Sequence, residues 1–115
     1  MDDCIFCKIV NKEIPANIAY EDDEILVFHD LEPQAPVHVL VIPKRHIASI
    51  DSIEATDEDR QLIGSLFAKL PGIASSLGLS TGYRVVSNCG ADALQTVFHL
   101  HFHLLGGRKF GWPPG

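Results

Sequence analysis

Short runs of apolar and β-branched residues, bounded by glycine, proline and acidic residues, recur along the chain. Runs of this length and composition are typical of β-strands. Two of them flank Asp22 and Asp23, which predicts a β-hairpin. The pattern predicts five strands in all, at residues 18–21, 25–29, 37–42, 83–87 and 98–105.

A different spacing of apolar residues begins after Thr56, which precedes three acidic residues suited to the first turn of a helix. Apolar side chains then recur every three or four positions as far as Leu77. Pro71 lies inside this pattern and is expected to kink or break the helix, whereas Gly78 is expected to end it. Residues 4–10 predict one or two further helical turns.

These elements predict an α+β fold, in which a mainly antiparallel sheet of about five strands is joined by one main helix and a short N-terminal helix. The chain has 115 residues, 46% hydrophobic and 21% charged, so we expect one domain spanning residues 1–115. A net charge of −6 argues against a partner that is a nucleic acid polymer. No apolar run approaches the roughly 20 residues of a membrane span, and the acidic start differs from a signal peptide. We therefore expect a cytoplasmic protein with no membrane partner.

The segment from His99 to Leu104 alternates histidine with apolar residues. On a strand the apolar side chains would enter the core, and His99, His101 and His103 would line the opposite face about 7 Å apart. With a pKa near 6.5, such imidazoles are partly neutral at pH 7 and can act as nucleophiles, bases or metal ligands. A single metal ion is a poor explanation for all three, because the outer Cα atoms would lie about 13 Å apart. A polar face that uses three histidines by chance is the weaker interpretation.

Residues 99–105, His-Leu-His-Phe-His-Leu-Leu, resemble the signature of the histidine triad family. Segments with the same family pattern extend over nearly the whole chain, at residues 28–30, 33–36, 38, 41–46, 82–84 and 112–115. The closing Trp112-Pro113-Pro114-Gly115 is similar to the tail of one branch, the histidine triad nucleotide-binding proteins, which are purine nucleoside phosphoramidases. The resemblance implies the fold and the chemistry of that branch.

It implies a hydrolase that cleaves the bond between a purine nucleoside monophosphate and an amine. His101 matches the nucleophile, which would form a nucleotidyl-histidine intermediate that water then hydrolyses. His103 and His38 match positions that contact the phosphate. Thr96 matches a serine that donates to the leaving group, and its hydroxyl keeps that ability.

The resemblance also implies a nucleotide pocket. Asp30 matches an acidic residue that accepts hydrogen bonds from the ribose, although a solvated loop carboxylate is the alternative. The walls around the base match Phe6, Ile9, Phe28 and Leu31, for which ordinary core packing is the alternative. The remaining nucleotide-binding positions that the resemblance implies are Asn88, Gln95, His99 and Trp112.

Ala93 and Leu94 depart from the family pattern, which has two glycines before its Gln-Ser pair. Glycine there would permit a positive φ or a close approach of the backbone to phosphate. Leu94 is therefore expected to narrow the pocket or to shift the preference for leaving groups, while the nucleophile stays the same.

Cys4 and Cys7 form a C-x-x-C pair, which supplies half of a tetrahedral zinc site. A redox pair and plain packing of reduced thiols are the alternatives that the residues leave open. Some bacterial members of the histidine triad family carry zinc on a matching pair together with two histidines, which match His46 and His99. The resemblance therefore implies a structural Zn²⁺ on Cys4, Cys7, His46 and His99.

Three classes of function compete. Hydrolysis of phosphoramidates leads, and the Trp112 tail argues against dinucleoside polyphosphate hydrolysis or nucleotidyl transfer, which other branches perform. The intact triad, with Asn88 and Thr96, argues against a non-catalytic module that only binds zinc or nucleotide. The resemblance also implies a homodimer in which the C-terminal tail reaches the active site of the partner subunit.

Overall fold

The strands pair into one five-stranded antiparallel sheet, which confirms the predicted architecture. The computed structural model describes residues 3–115. In chain order the strands are β1 (Ile18–Glu21), β2 (Ile25–His29), β3 (Val37–Pro43), β4 (Tyr83–Val86) and β5 (Phe102–Gly106). Their spatial order is β1-β2-β3-β5-β4, so the two strands that carry His38 and His103 are neighbours.

One face of the sheet packs against the main helix, α2 (Asp57–Ser76). Thr56 caps this helix by accepting a hydrogen bond from the backbone N–H of Asp59. The apolar stripe of α2 joins the larger core cluster, in which Val27, Val39 and Leu104 are fully buried. Within residues 3–115 no helix is both long and apolar enough to span a bilayer.

The opposite face of the sheet packs against the short helix α1 (Ile5–Val10). Cys4 is its N-cap, and the Cys4 sulfur accepts a hydrogen bond from the backbone N–H of Cys7. The smaller core cluster joins side chains of the helix to those of β2 and β3: Phe6, Ile9, Leu26, Phe28, Leu40 and Ile42. Because side chains alternate along β3 and β5, His38 and His103 lie on this same face.

Pro71 does not break the main helix, contrary to that part of the prediction. Helix α2 continues through Pro71 to Ser76 and ends before Gly78, whose φ of 77° lies in the left-handed region. The proline ring is exposed, while Leu66, Leu70 and Ile73 of the same helix are buried in the core. Burial of these side chains outweighs the one backbone hydrogen bond that a proline removes.

The apolar alternation predicts that the last strand begins at residue 98, but in the structure it begins at Phe102. Pairing between β3 and β5 runs only as far as Val41 and Phe102. Before that point the chain leaves the sheet, and the backbone N–H of Leu100 donates to the carbonyl oxygen of Ile47. Shortly after Ile47 the chain forms a 3₁₀ turn at Ile50–Ser52, which the sequence pattern does not predict.

Candidate active site

His38, His101 and His103 lie together on the sheet face that α1 covers. Although residues 99–101 precede β5, the alternation still holds, because Leu100, Phe102 and Leu104 all enter the larger core. The ring centroid of His103 is 5.1 Å from that of His101 and 5.1 Å from that of His38. His101 is only 8% exposed. The three imidazoles therefore form a packed cluster and not an open polar surface.

The ring of His101 is held by the backbone of its own segment. Its Nδ1 lies 2.7 Å from the carbonyl oxygen of His99. Since a carbonyl oxygen only accepts hydrogen bonds, we assign the ring proton of His101 to Nδ1. In the neutral ring the lone pair is then on Nε2. This tautomer presents a nucleophilic nitrogen in a fixed direction.

His38 and His103 form a hydrogen-bonded pair with a defined direction. The backbone N–H of Gln34 donates to Nδ1 of His38 at 3.0 Å, so the proton of neutral His38 is on Nε2. That Nε2 lies 2.9 Å from Nδ1 of His103 and 3.5 Å from a carboxylate oxygen of Asp30. His38 therefore donates to His103, which leaves the ring proton of His103 on Nε2. An N–H at that position can bind an oxygen of a phosphate.

Burial keeps this pair neutral at pH 7. It lowers the pKa of His103 to about 4, with smaller contributions from the nearby rings of His101 and His38. Burial also lowers the pKa of His38, and the carboxylate of Asp30 opposes that shift. Neutral rings are the state that the hydrogen bonds from Gln34 and between the two histidines require.

A pocket of about 220 Å³ lies between α1 and the sheet, and two of its lining residues connect it to the histidine cluster, since Phe6 lies next to His101 and Asp30 next to His38. The rings of Phe6 and Phe28 meet edge to face there, with centroids 5.4 Å apart. Asp30 reaches the same pocket, and one of its oxygens accepts the backbone N–H of Glu32 at 2.8 Å. The lining contains all five residues for which the resemblance implies contacts with the base or ribose: Phe6, Ile9, Phe28, Asp30 and Leu31.

Several other lining residues were missed by the sequence analysis. They are Ile5, Pro15, Ala16, Asn17, His29 and Leu40. Leu40 reaches the pocket because the alternation of β3 places it on the same face as His38, so the strand period alone could have identified it. For residues 15–17 no such period exists, because they belong to the loop between α1 and β1.

A second cluster, the four-ligand cluster of Cys4, Cys7, His46 and His99, places all its ligand atoms within 4.8 Å of one another. Nδ1 of His99 is 3.4 Å from the sulfur of Cys4 and 3.6 Å from that of Cys7. Nδ1 of His46 is 3.3 Å from the sulfur of Cys7. Two thiols and two imidazoles are a common tetrahedral ligand set for zinc.

The orientation of His99 also fits a metal ligand. Its Nε2 lies 2.8 Å from the carbonyl oxygen of Pro43, which fixes the ring proton on Nε2 and leaves the lone pair of Nδ1 facing the thiols. Burial lowers the pKa of His99. Burial, together with the hydrogen bond and charge interaction with the Cys4 side chain, raises the pKa of the Cys7 thiol to about 11. A bound cation would reverse the effect on Cys7, because metal binding favours the thiolate.

The side chain of Gln95 positions the loop that follows β4 by hydrogen bonds to the backbone. Its side-chain oxygen accepts the backbone N–H of Gly90 at 3.0 Å, and its amide donates to the carbonyl oxygens of Ala48 and Val97 at 2.9 and 3.1 Å. Both amide protons are thus used within the chain. These hydrogen bonds position the loop, and the nucleotide contact that the resemblance implies for Gln95 stays a prediction.

The other predicted residues near this loop are more exposed. Leu94 has a left-handed φ of 62° and is 78% exposed, so a leucine adopts the backbone conformation that favours glycine. Asn88 is half-buried after β4, and Thr96 lines a second pocket together with Cys4 and His46. Trp112 is 83% exposed in the tail, and none of the aromatic pairs found in residues 3–115 joins it to a histidine.

The chain is similar to known proteins over nearly its whole length. A family model described as HIT domain matches residues 11–110. An uncharacterized HIT-like protein from Synechococcus elongatus is 55% identical over 114 residues, which are 99% of this chain and 98% of that protein. A crystal structure of a HIT family hydrolase from Legionella pneumophila has a TM-score of 0.92 and 47% identity, covering 98% of this chain and 100% of that one. A histidine triad protein from Clostridium difficile has a TM-score of 0.90 and 46% identity, covering 96% of each chain.

Substitution His103→Gln is expected to weaken the dependence of stability on pH. The folded pKa of about 4 lies below the ordinary 6.5, so the unfolded chain binds more protons between these values. The free energy of unfolding of the wild type therefore falls as the pH drops from 6.5 to 4, by up to about 1.4 kcal/mol per pH unit for this one group.

Urea unfolding of both proteins between pH 4 and pH 8 measures the effect. Carboxylates far from position 103 contribute equally to both proteins, so the difference between the two curves reports His103 together with the groups coupled to it, Asp30, His38 and His101. Parallel curves across this range would contradict the assignment of a lowered pKa to that ring.

Proposed function

The chain belongs to the HIT domain family, and from that premise we propose that it hydrolyses purine nucleoside phosphoramidates, in which a nucleoside monophosphate is linked to an amine. The observation that carries the proposal is the hydrogen bond between Nδ1 of His101 and the carbonyl oxygen of His99. It holds the ring in the tautomer whose Nε2 can attack phosphorus. The name HIT family hydrolase, given to the Legionella pneumophila structure, agrees with hydrolysis as the class of reaction.

The proposed reaction has two displacements at phosphorus. In the first, the lone pair on Nε2 of His101 forms a bond to the α-phosphorus while the bond from phosphorus to the amine nitrogen breaks. The departing nitrogen takes a proton, for which the hydroxyl of Thr96 is the proposed donor. In the second, water adds to phosphorus, its proton restores the Thr96 hydroxyl, and the nucleoside monophosphate leaves with release of neutral His101.

The neighbouring groups would bind the phosphate and the nucleoside. Nε2–H of His103, oriented by His38, would donate to a non-bridging oxygen and stabilise the charge that develops there. Asp30 would accept hydrogen bonds from the ribose hydroxyls. The aromatic and aliphatic walls of the pocket would enclose the purine between Phe6, Ile9, Phe28 and Leu31. Asn88 is proposed beside the phosphate.

We also propose that the four-ligand cluster binds a structural Zn²⁺. The ligand types and the free lone pair of His99 fit this ion. Protein ligands would occupy all four positions, so the ion would supply a cross-link between α1 and the rest of the chain and no chemistry toward the substrate. The cysteines are free thiols, which agrees with a reducing cytoplasm as the proposed location.

Substitution His101→Gln is expected to abolish turnover of an adenosine phosphoramidate with a fluorescent amine, by about a thousandfold or more in kcat. Glutamine keeps a donor for the carbonyl of His99 but lacks the nucleophilic nitrogen. The variant should therefore still bind AMP, which serves as its folding control. Wild type quenched in alkali, in which the bond between phosphorus and the imidazole nitrogen survives, should carry a nucleotidyl group on the peptide that contains His101.

The outcomes of this assay separate the three classes of function. Absence of turnover by pure wild type would overturn the phosphoramidase proposal and favour a binding module. Turnover of a dinucleoside polyphosphate in preference to the phosphoramidate would favour the second class. Equal rates for wild type and variant would remove His101 as the nucleophile.

Zinc content should depend on the cysteine pair. Protein purified without chelator is expected to contain about one Zn²⁺ per chain by elemental mass spectrometry. The double variant Cys4→Ser/Cys7→Ser should contain almost none, whereas Cys89→Ser, a half-buried cysteine outside the cluster, should keep the wild-type content. Equal zinc in the double variant and the wild type would contradict the ligand assignment.

We further propose a homodimer in which Trp112 reaches the active site of the partner subunit. The tail is anchored to the edge strand β4, because Arg84 donates to the carbonyl oxygen of Gly111 at 2.8 Å, and Trp112 beyond it stays exposed. Light scattering at micromolar concentration should give the mass of two chains. Trp112→Ala should alter kcat/KM among amine leaving groups without changing that mass. A monomeric mass for the wild type would overturn the proposal.

A further inference from the structure

Helix α1 is too short to be stable without anchors. It has six residues, and isolated helices of that length are unstable in water. The structure holds it at two places. Its first turn contributes Cys4 and Cys7 to the four-ligand cluster, and its buried side chains Phe6 and Ile9 join the smaller core cluster.

The same helix forms one wall of the proposed nucleoside pocket. Ile5, Phe6 and Ile9 all line that pocket. Phe6 also contacts the histidines, since its ring centroid lies 5.1 Å from that of His101 and 5.9 Å from that of His99. Any change in the position of α1 therefore alters both the pocket and the surroundings of the nucleophile.

His99 provides a second connection between the two sites. Its ring belongs to the four-ligand cluster, whereas its carbonyl oxygen accepts the hydrogen bond from His101. The side chain is fully buried and also bonded to the carbonyl oxygen of Pro43, so its backbone has little freedom to move independently of its ring.

We propose that Zn²⁺ at the four-ligand cluster and a purine nucleoside monophosphate in the pocket bind cooperatively, each raising the affinity for the other through the order of α1. This inference rests on the proposed function, which supplies both ligands. The thiols of Cys4 and Cys7 lie 3.3 to 3.6 Å from the imidazoles of His46 and His99, at the distance of weak hydrogen bonds, and bonds to Zn²⁺ would hold the first turn more firmly. A nucleotide that binds against α1 restricts the motion of this helix, and a bound metal ion would already have restricted it, so the second ligand would lose less conformational entropy.

The coupling is expected to be about fivefold or more in each dissociation constant, and equal in both directions by thermodynamic linkage. Isothermal titration with AMP, the reaction product, compares Zn²⁺-loaded wild type with the same protein after removal of metal by a chelator. The reciprocal experiment measures Zn²⁺ affinity by competition with a chromophoric chelator, with and without saturating AMP. Backbone hydrogen exchange at residues 5–10 should slow when either ligand binds.

Two cysteine variants test whether the coupling depends on the four-ligand cluster. Cys89→Ser should show the full coupling, whereas in Cys4→Ser/Cys7→Ser the affinity for AMP should no longer respond to Zn²⁺ and should equal that of metal-free wild type. A melting curve shows that each protein is folded under the conditions of titration.

Each negative result of these titrations contradicts a different part of the proposals. Binding of AMP with equal affinity in the two forms would overturn the coupling alone and leave the proposed hydrolysis untouched. Absence of AMP binding in both forms would overturn the nucleotide pocket and the coupling with it. Absence of Zn²⁺ binding would overturn the metal site and the coupling, while turnover of the phosphoramidate would still test the nucleophile separately.

Discussion

The alternation of side chains from His99 to Leu104 is the constraint on which the rest of the structure depends. Leu100, Phe102 and Leu104 are 1%, 5% and 0% exposed in the core beneath α2. Their burial fixes the opposite direction for the three histidines, because neighbouring side chains on an extended chain point to opposite sides. If this segment turned over, Leu100, Phe102 and Leu104 would leave the core. The loss of hydrophobic free energy would be about 2 kcal/mol for each large side chain.

Backbone groups then give chemically different states to identical side chains. The carbonyl oxygen of Pro43 leaves the lone pair of His99 on Nδ1, and the carbonyl oxygen of His99 leaves that of His101 on Nε2. The backbone N–H of Gln34 donates to Nδ1 of His38, so Nε2 of His38 donates to Nδ1 of His103. The ring proton of His103 is therefore on Nε2. Backbone groups within a sheet and its adjoining segments have little freedom, so these directions are set before any ligand arrives. One residue type thereby offers three different groups: a lone pair on Nδ1 that faces the thiols, a lone pair on Nε2, and an N–H donor.

The sequence was sufficient to predict the five strands, the two α-helices and the histidine pattern, though not every boundary, since these features follow from local periodicity. The strands β1 and β2 lie where the apolar runs predict them, and the N-cap of α2 is Thr56 as predicted. Tertiary contacts account for what was not predictable. The acceptor that orients His99 is 56 residues away in sequence, and the partners of the Gln95 amide include Ala48, 47 residues away. Likewise, the start of β5 depends on where β3 stops pairing with it, which no pattern within residues 98–105 reveals.

His99 serves both sites, yet with different parts of the residue. Its side chain faces the thiols, and its backbone carbonyl oxygen accepts the hydrogen bond from His101. Every residue type has that carbonyl, so the bond to His101 does not require histidine at position 99, whereas a ligand for the cluster does require a side chain with a donor nitrogen, sulfur or oxygen atom. The ring also fills a fully buried position next to Phe6. The requirement for histidine at this position therefore comes from the cluster and its packing, while the geometry at His101 depends on where that packing places the backbone.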